Sequence, residues 1–588
     1  MTNSARPWTR FYHPTTAADV GPPKYPHMAA AIREASATYG DKPAFTLALP
    51  NGSQGGMTFE DADRLSDEFA VYLREVAGFK AGARIAIQMP NCLAYPVAVF
   101  GVLKAGLVMV NTNPLYTPAE MVHQFSDSGA VGLVAIDLFA TKVAEVLPKT
   151  SIKTVIVVSI SDLLPAMKRL LIKGVQKYVK KMIPPITFAH VTFASALSAG
   201  RDRIAAGIDP KLYAQALDLN SLAALQYTGG TTGVAKGAML THGNLVANTI
   251  QGLEMFKPFI RMGSEVLLTA LPLYHIFAFT GNLMIFYLAG ARNLLVPSPR
   301  PLSNLKTVML SEPFTWMTGV NTLFAGLMHE PWFKDTPQWS LRGSIGGGMA
   351  VVPVIAERWE AMTKSPIFQG YGLTETSPVA TLNPFDRPKL GAIGVPVPGT
   401  DVRFVDNEGR DVARGEAGEL WIKGPQVMKG YWQRPDETAR VLRDGWLATG
   451  DIAMMDEDDY VVIVDRKKDL ILVSGFNVYP NEVEAVIATH PAVADTAVVG
   501  VPDDECGEIV VAFVTPKDES LTEDAVRQHC KQSLTNYKVP RIVVFKKDLP
   551  KSNVGKVLRK DLRDEAQQAY LQRYPRDRAK PVSPKRPN

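Results

Sequence analysis

The sequence predicts an α/β protein. It has a large N-terminal domain of packed α/β sheets ending in a small β-rich subdomain, then a small α+β C-terminal domain. Three observations predict this. Up to about residue 460, short aliphatic or β-branched runs alternate with helix-length patterns, as in parallel sheets covered on both faces. From Asp401, "DVRFVDNEGRDVARGEAGELWIKG" turns to short alternating strands with turn signals. After "VDRKKDLILVSGFNVYP" (464–480), a compact unit of helices and strands runs to about residue 570. At 588 residues the chain is too long for a single core. The expected division is 1–465, 466–570 and a Pro-rich, basic tail, 571–588, expected to be disordered. The boundary is placed at Asp465–Asp469.

The elements follow in order. The runs "RIAIQMP" (84–90), "LVMVNTNP" (107–114), "VGLVAID" (131–137) and "KTVIVVS" (153–159) read as buried strands, and Thr117 to Ser128 reads as a helix between them. Residues 161–185, "SDLLPAMKRLLIKGVQKYVKKMIPP", stand apart. Leu163, Met167, Leu170, Leu171, Val175, Tyr178, Val179 and Met182 recur at three- and four-residue steps, and Lys168, Arg169, Lys173, Lys177, Lys180 and Lys181 fill much of the rest. This is a basic amphipathic helix over 163–183. Two readings stand: a surface helix packing its apolar side on the core, or a surface that docks on anionic lipid.

Next comes "YTGGTTGVAKG", Tyr227 to Gly237. Gly-rich turns often only connect elements. The functional reading is a phosphate cradle, in which glycines admit backbone N–H groups close to an anion, threonines donate hydroxyls and Lys236 adds charge. It lacks the G-x-x-x-x-G-K-[ST] spacing of the common P-loop, which disfavours a kinase or simple NTPase.

Val266 to Ala291 carries no Asp, Glu, Lys or Arg and is long enough to span a bilayer. Pro272, Tyr274, His275 and Asn282 interrupt it, so a buried strand, a turn and a buried helix are expected instead. Downstream, "GYGLTET" (370–376) offers the flat ring of Tyr371, the hydroxyl of Thr374 and the hard oxygens of Glu375, suited to Mg²⁺. "WLATGD" ends on Asp451, an acid able to grip a ribose diol. "VDRKKD" supplies Arg466, and "LPKSNVGKVLRK" sets Lys556 after a glycine in a polar loop.

Composition narrows the class. Hydrophobic content of 46% and charged content of 21% describe an ordinary globular protein. A net charge of +5 is slight for this length and gives no indication of nucleic acid. Cys92, Cys506 and Cys530 are odd in number and form no C-x-x-C pair, which argues against a disulfide framework or structural zinc and fits a reducing cytosol. No secretory signal is expected from the N-terminal residues, which lack an apolar stretch.

Taken together and in this order, these stretches resemble the adenylate-forming (acyl-activating) superfamily of acyl-CoA synthetases, luciferases and peptide-synthetase adenylation domains. The resemblance covers about residues 25–565. More narrowly, "QYTGGTTGVAKGAMLTH", "LPLYHIFA", "TGVNTLF", "GGGM", "GYGLTE", "KGPQVMKGYWQRP", "GWLATGDIA", "DRKKDLILVSGFNVYPNEVE" and "LPKSNVGKVLRK" are similar to the bacterial long-chain fatty acyl-CoA synthetases. The resemblance implies an ANL-type fold with a mobile C-terminal domain, and ATP, Mg²⁺ and coenzyme A as cofactors. It also implies a two-step ligation of a fatty acid to coenzyme A. Thr228, Gly229, Gly230, Thr231, Thr232, Gly233 and Lys236 would embrace the β,γ-phosphates. Tyr371 would lie against adenine near Gly347 and Gly348. Thr374 would contact the α-phosphate, Glu375 would hold Mg²⁺, and Asp451 and Arg466 would bind the ribose. Lys556 would bridge the carboxylate and the α-phosphate. Lys468 would be the hinge of a domain rotation that carries Ser474, Gly475 and Phe476 towards coenzyme A.

The acyl pocket is expected from His275, Phe279, Val320, Leu323, Phe324 and Gly346, with Phe279 where related synthetases carry an aromatic gate; each of these also reads as plain core. Gly229 and Ala235 stand where Ser and Pro are common, as in the long-chain branch. Val473, before Ser474, leaves the thiol-side contacts open. Relatives are often dimers, so a homodimer is expected, in the cytoplasm and peripheral at the inner face of the membrane. Two alternatives remain: an acid-activating enzyme of other chain length, aromatic substrate or carrier-protein acceptor, and a membrane-associated fatty-acid binding or transport-coupled protein.

Overall fold

A computed structural model describes residues 6–228, 235–336, 340–474, 476–503, 506–518, 520–551 and 557–574. Gly229, Gly230, Thr231, Thr232 and Gly233 of the glycine-rich loop, together with Gly475 and Lys556, lie outside the described residues.

Two large sheets carry the N-terminal part. The first has seven strands in the order Val191–Thr192, Thr154–Val158, Gly132–Ile136, Arg84–Gln88, Val108–Asn111, Leu222–Thr228 and Lys236–Thr241. All neighbours in it are parallel except the last pair. The four aliphatic runs are its buried strands, as their composition requires. The helix Pro118–Ser128 begins at a capping box: the Thr117 side chain accepts from the Glu120 amide, and the Glu120 carboxylate accepts from the Thr117 amide. The second sheet has nine strands, and its parallel centre includes Val266–Thr269, Trp316–Gly319, Gly343–Gly346 and Ile367–Gly372.

The uncharged run is buried within this second unit. Val266–Thr269 is a central strand, and Phe279–Ile285 is a π-helical turn between short α-helical pieces. The π turn approaches the helix His242–Phe256 so closely that a Cβ at Gly252 would stand 2.3 Å from Ile285 Cδ1. Asn282 donates to Thr269 Oγ1 (3.2 Å) and Thr318 Oγ1 (2.9 Å), which allows an amide in this apolar setting. Among the described residues no helix is long and apolar enough to cross a membrane.

The basic segment forms an α-helix, Ala166–Gly174, continued by a π turn, Val175–Val179. Leu164 and Ile172 are buried, whereas Met167, Leu170, Leu171, Tyr178 and Val179 are exposed. Packing of the whole apolar side on the core is therefore not what this helix does.

A small sheet follows, made of Asp401–Val405, Gly418–Lys423, Trp446–Met455 and Val461–Arg466 with the short Leu442–Arg443. The last sheet, built on the hairpin Val493–Asp503 and Gly507–Pro516, has its own core, which includes Ile471, Val498, Val511, Phe513 and Leu562. Between these two sheets lies a turn at 467–470. A polar cluster braces it. Arg559 donates to Asp469 (3.2 Å), Asn481 (2.6 Å) and Glu484 (2.8 Å), and Arg563 donates to Asp469 (2.6 Å). Asp465, in the last strand of the small sheet, accepts from the Arg466 amide (2.7 Å) and from the Asn481 amide (2.8 Å) in the first helix of the C-terminal unit.

Asp465 is fully buried, and that burial raises its carboxyl from an ordinary 3.8 to about 6. Between those values the native state holds the proton more tightly than the unfolded chain. The contribution is present below 3.8 and lost as pH rises through 6. Asp465→Asn removes it, so its deficit against wild type in urea unfolding is larger at pH 4.5 than at pH 7.5 by about 2 kcal/mol.

Candidate active site

Three of the candidate residues lie at or near the carboxyl ends of strands in the two large sheets, where open α/β sheets place their ligands. Thr228 ends Leu222–Thr228, Gly346 ends Gly343–Gly346, and Tyr371 lies near the end of Ile367–Gly372. Gly347 follows its strand into a crowded spot, where a Cβ would stand 3.2 Å from both the Gly370 carbonyl oxygen and the Phe277 ring. The backbone at 347 is thus set beside Tyr371. The turn after Tyr371 is tighter, since a Cβ at Gly372 would fall 1.8 Å from the Pro378 carbonyl oxygen.

Asp451 and Arg466 are direct cross-strand partners, so the ladder itself brings them together. Arg466 Nε lies 3.3 Å from one Asp451 oxygen, and the Tyr371 hydroxyl donates to the other at 2.6 Å. Burial, reinforced by the Asp451 charge, pushes the Tyr371 phenol well above its ordinary range. It therefore stays a donor at every working pH.

A second cluster surrounds Glu375, in the 3₁₀ turn Thr374–Thr376. The segment 428–432 closes over it like a clasp. Met428 N–H donates to the Glu375 carbonyl (2.8 Å), Lys429 N–H to the Met239 carbonyl (3.0 Å) and Trp432 N–H to the Gly237 carbonyl (2.8 Å). The clasp thereby joins the Glu375 turn to the strand that leaves the glycine-rich loop. Tyr431 donates its hydroxyl to Glu375 Oε1 at 2.6 Å. Lys236, the first residue of that strand, holds its ammonium 5.3 Å from the centre of the Tyr431 ring and pairs with Glu437. The far end of the clasp is tied to Asp127, which accepts from Tyr227 (2.6 Å), Arg434 (2.7 Å) and the Trp432 indole through its carbonyl (3.2 Å). Tyr431, Glu437 and Phe277 are additions to the residues expected from sequence. Tyr431 was in view within "KGYWQRP", but its partner is 56 residues away, beyond any local periodicity.

Burial raises the Glu375 carboxyl above its ordinary value, while Lys236 pulls it down. A desolvated carboxylate fits Mg²⁺, which uses one or two carboxylates plus substrate phosphates. Among the described residues no cluster of three or more His, Cys, Asp or Glu could hold a metal by itself.

Among the residues expected to line an acyl pocket, Gly346 packs tightly: a Cβ there would meet Val351 at 2.6 Å and Ile367 at 2.9 Å. Val320 follows the neighbouring strand end and approaches Gly348. Leu323 is buried, and Phe324 packs on Trp359 with ring centres 4.9 Å apart. His275 Nδ1 accepts from the Phe277 amide (3.3 Å) and caps the following turn. Phe279 is fully buried in the main core, whereas Phe277 is the aromatic ring against Gly347. In the C-terminal unit, Ser474 has φ +52° and donates its N–H to the Cys506 carbonyl (2.6 Å), and Phe476 is exposed and stacks on Tyr537 at 5.0 Å. Lys468 lies in the inter-sheet turn, and its carbonyl accepts from Arg563 (3.2 Å).

Residues 32–432 match the family described as AMP-binding enzyme, and residues 482–556 match the AMP-binding enzyme C-terminal domain. The chain belongs to the AMP-binding enzyme family. A long-chain-fatty-acid–CoA ligase of Yersinia pestis is 48% identical over 561 residues, covering 95% of this chain and 98% of that relative. A ligase of the same description from Bacillus subtilis is 35% identical, covering 96% and 98%. Among solved structures, ATP-bound MatB from Rhodopseudomonas palustris aligns with a TM-score of 0.78 at 28% identity, covering 91% of this chain and 99% of that one. The two-part architecture of this AMP-binding enzyme is that of its structural relatives.

Tyr431→Phe leaves the buried Glu375 carboxyl without its donor while keeping the ring. Loss of about 1–3 kcal/mol in urea unfolding is expected, and Tyr431→Trp, which forces a larger ring into the clasp, is worse.

Proposed function

We propose that this enzyme is an ATP-dependent long-chain fatty acid:CoA ligase that works in two steps on one site. One observation carries the reading. Tyr371, and Glu375 just after it, come from the nine-stranded sheet that also holds Val266–Thr269, the start of a segment, 266–291, with no charged side chain; Asp451 and Arg466 join Tyr371 from the small sheet. A site for an amino acid would need an acid there to meet the ammonium. A long alkyl chain needs only apolar wall, at roughly 0.8 kcal/mol per buried CH₂. The long-chain ligases aligned along nearly the whole chain support the same reading.

In the first step a carboxylate oxygen attacks the α-phosphorus of ATP, and the bond to pyrophosphate breaks. Two anions must meet, so cationic groups at the developing charge are the main requirement. Lys556 bridges the carboxylate and the α-phosphate, and Thr374 donates to the latter. Thr228, Gly229 to Gly233 and Lys236 hold the leaving pyrophosphate; for Lys236 this means exchanging Glu437 for phosphate. Mg²⁺, held by Glu375 and phosphate oxygens, would supply further neutralisation of the phosphate charge. Tyr371 stacks on adenine beside Gly347 and Gly348, and Asp451 with Arg466 grips the ribose. Val320, Leu323, Phe324, Gly346, His275 and Phe279 wall the acyl chain, with Phe277 added at its inner end.

In the second step the coenzyme A thiolate attacks the acyl carbon, and AMP leaves with the electron pair of the broken C–O bond. Lys556 must withdraw first. We assign the division between the mobile unit and the rest to Asp465–Asp469, with Lys468 as the pivot. Ser474, Gly475 and Phe476 then approach the thiol. The turn at 467–470, between two separate sheets, supports this assignment. We place the enzyme in the cytoplasm, peripheral at the inner face of the membrane.

Pyrophosphate release from ATP is expected with palmitate and not with benzoate. Lys556→Ala is expected to slow it by about 10²- to 10³-fold while still converting supplied palmitoyl-adenylate to the CoA ester. Release with benzoate alone would exclude the alkyl site.

A further inference from the structure

We infer that the helix Ala166–Gly174 and its continuation Val175–Val179 form a two-part attachment to an anionic phospholipid bilayer, with an apolar face that inserts and a lysine row that meets the headgroups. This deepens the membrane-surface part of the reading above, and it rests on the surface of the protein rather than on the active site.

The exposed large apolar side chains of the described residues are mostly scattered singly. Six of the twenty, however, lie in one stretch: Met167, Leu170, Leu171, Tyr178, Val179 and Met182. Met167 is 82% exposed, Leu171 69% and Val179 75%. Such clustering marks a contact surface rather than ordinary surface apolarity. The helix is nonetheless firmly seated. Leu164 and Ile172 are buried, Asp162 accepts from the Ser159 amide (2.8 Å) before it, and Lys168 donates to the Gln54 carbonyl (2.8 Å). A Cβ at Gly55 would meet Leu164 at 2.3 Å, so the chain entering the helix is wedged against the neighbouring strand. The apolar face is therefore held outward by fixed contacts.

Charge selects the occupant. Between 161 and 185 there are six cations (Lys168, Arg169, Lys173, Lys177, Lys180 and Lys181) against the single acid Asp162. Arg169 and Lys173 feel the charge of Asp162, and Lys173 that of Asp137 as well, but none of the six forms a close ion pair among the described residues. Lys173, Lys177, Lys180 and Lys181 are exposed beside the apolar residues. A second copy seated by a twofold axis would set these two basic rows against each other. An anionic bilayer answers both features at once, with acyl chains for Met167, Leu170, Leu171 and Val179, the interface for Tyr178, and headgroups for the lysines. The position suits substrate supply. The helix follows Thr154–Val158, which is four strand spacings, roughly 19 Å, from Leu222–Thr228. Docking there leaves the nucleotide side open.

The test uses the full chain with two kinds of vesicle, one of phosphatidylcholine alone and one with a third phosphatidylglycerol, in co-sedimentation at 0.15 M salt. Wild type is expected to bind the anionic vesicles and release from them at 1 M salt. The triple variant Lys173→Glu, Lys177→Glu, Lys180→Glu is expected to bind at least tenfold more weakly. The double variant Leu170→Ser, Leu171→Ser, which alters only exposed positions, is expected to lose binding at low salt as well. Neither variant should change pyrophosphate release with palmitate dispersed in detergent without vesicles, which separates failure of docking from failure of the ligase reading. Equal binding by wild type and both variants overturns the inference. So does a wild type that ignores vesicles but self-associates through Leu170 and Leu171, because the occupant would then be a second copy.

Discussion

Asp451 is the point on which the rest of the site depends. Its two oxygens are taken by groups from different parts of the chain, the Tyr371 hydroxyl from the nine-stranded sheet and the Arg466 guanidinium from the last strand of the small sheet. Arg466 is also the last residue before the turn that leads into the C-terminal unit. One carboxylate thus fixes the Tyr371 ring, the Arg466 guanidinium and the start of the inter-sheet turn. The ladder pairing of Asp451 with Arg466 makes this geometry a property of the backbone rather than of flexible side chains. Beyond the turn, Asp465 and Arg559 tie the first and last helices of the C-terminal unit to the same strand end. A movement of that unit about the turn must therefore rearrange a buried charge cluster rather than slide on an open surface.

The segment 428–437, which contains the clasp, plays the corresponding role around Glu375 and Lys236. It hydrogen-bonds to the Glu375 turn and to the strand after the glycine-rich loop, and it supplies both Tyr431 for Glu375 and Glu437 for Lys236. Glu375 and Lys236 are thus held by the same segment, which also reaches back to Asp127 in the helix Pro118–Ser128.

Much of this was legible in the sequence, for physical reasons that can be named. Strands such as Arg84–Gln88 and Thr154–Val158 are buried on both faces and read as unbroken aliphatic runs. Pro118–Ser128 announces itself through Thr117 and Glu120 three residues apart. Tyr371, Asp451 and Arg466 each stand out in their own short stretch, and the structure brings the three into contact. What could not be read is what depends on contacts across the chain. The Tyr431–Glu375 bond joins segments without a shared period. Phe277 and Phe279 differ by two positions in one uncharged run, and only the folded structure, with Phe277 in the short helix Ile276–Ala278 and Phe279 opening the π turn, shows which ring meets Gly347. The periodicity of 163–183 gave an amphipathic helix, but periodicity says nothing about whether a protein core or another surface takes the apolar side.

The most direct test of the account is the steady-state KM for ATP in palmitate-dependent ATP–pyrophosphate exchange without coenzyme A, comparing wild type with Asp451→Asn. Loss of a charged acceptor for the ribose hydroxyls and of the partner of Arg466 is expected to raise that KM about tenfold or more, with exchange still dependent on palmitate. An unchanged KM would contradict the placing of Asp451 at the centre of the nucleotide site.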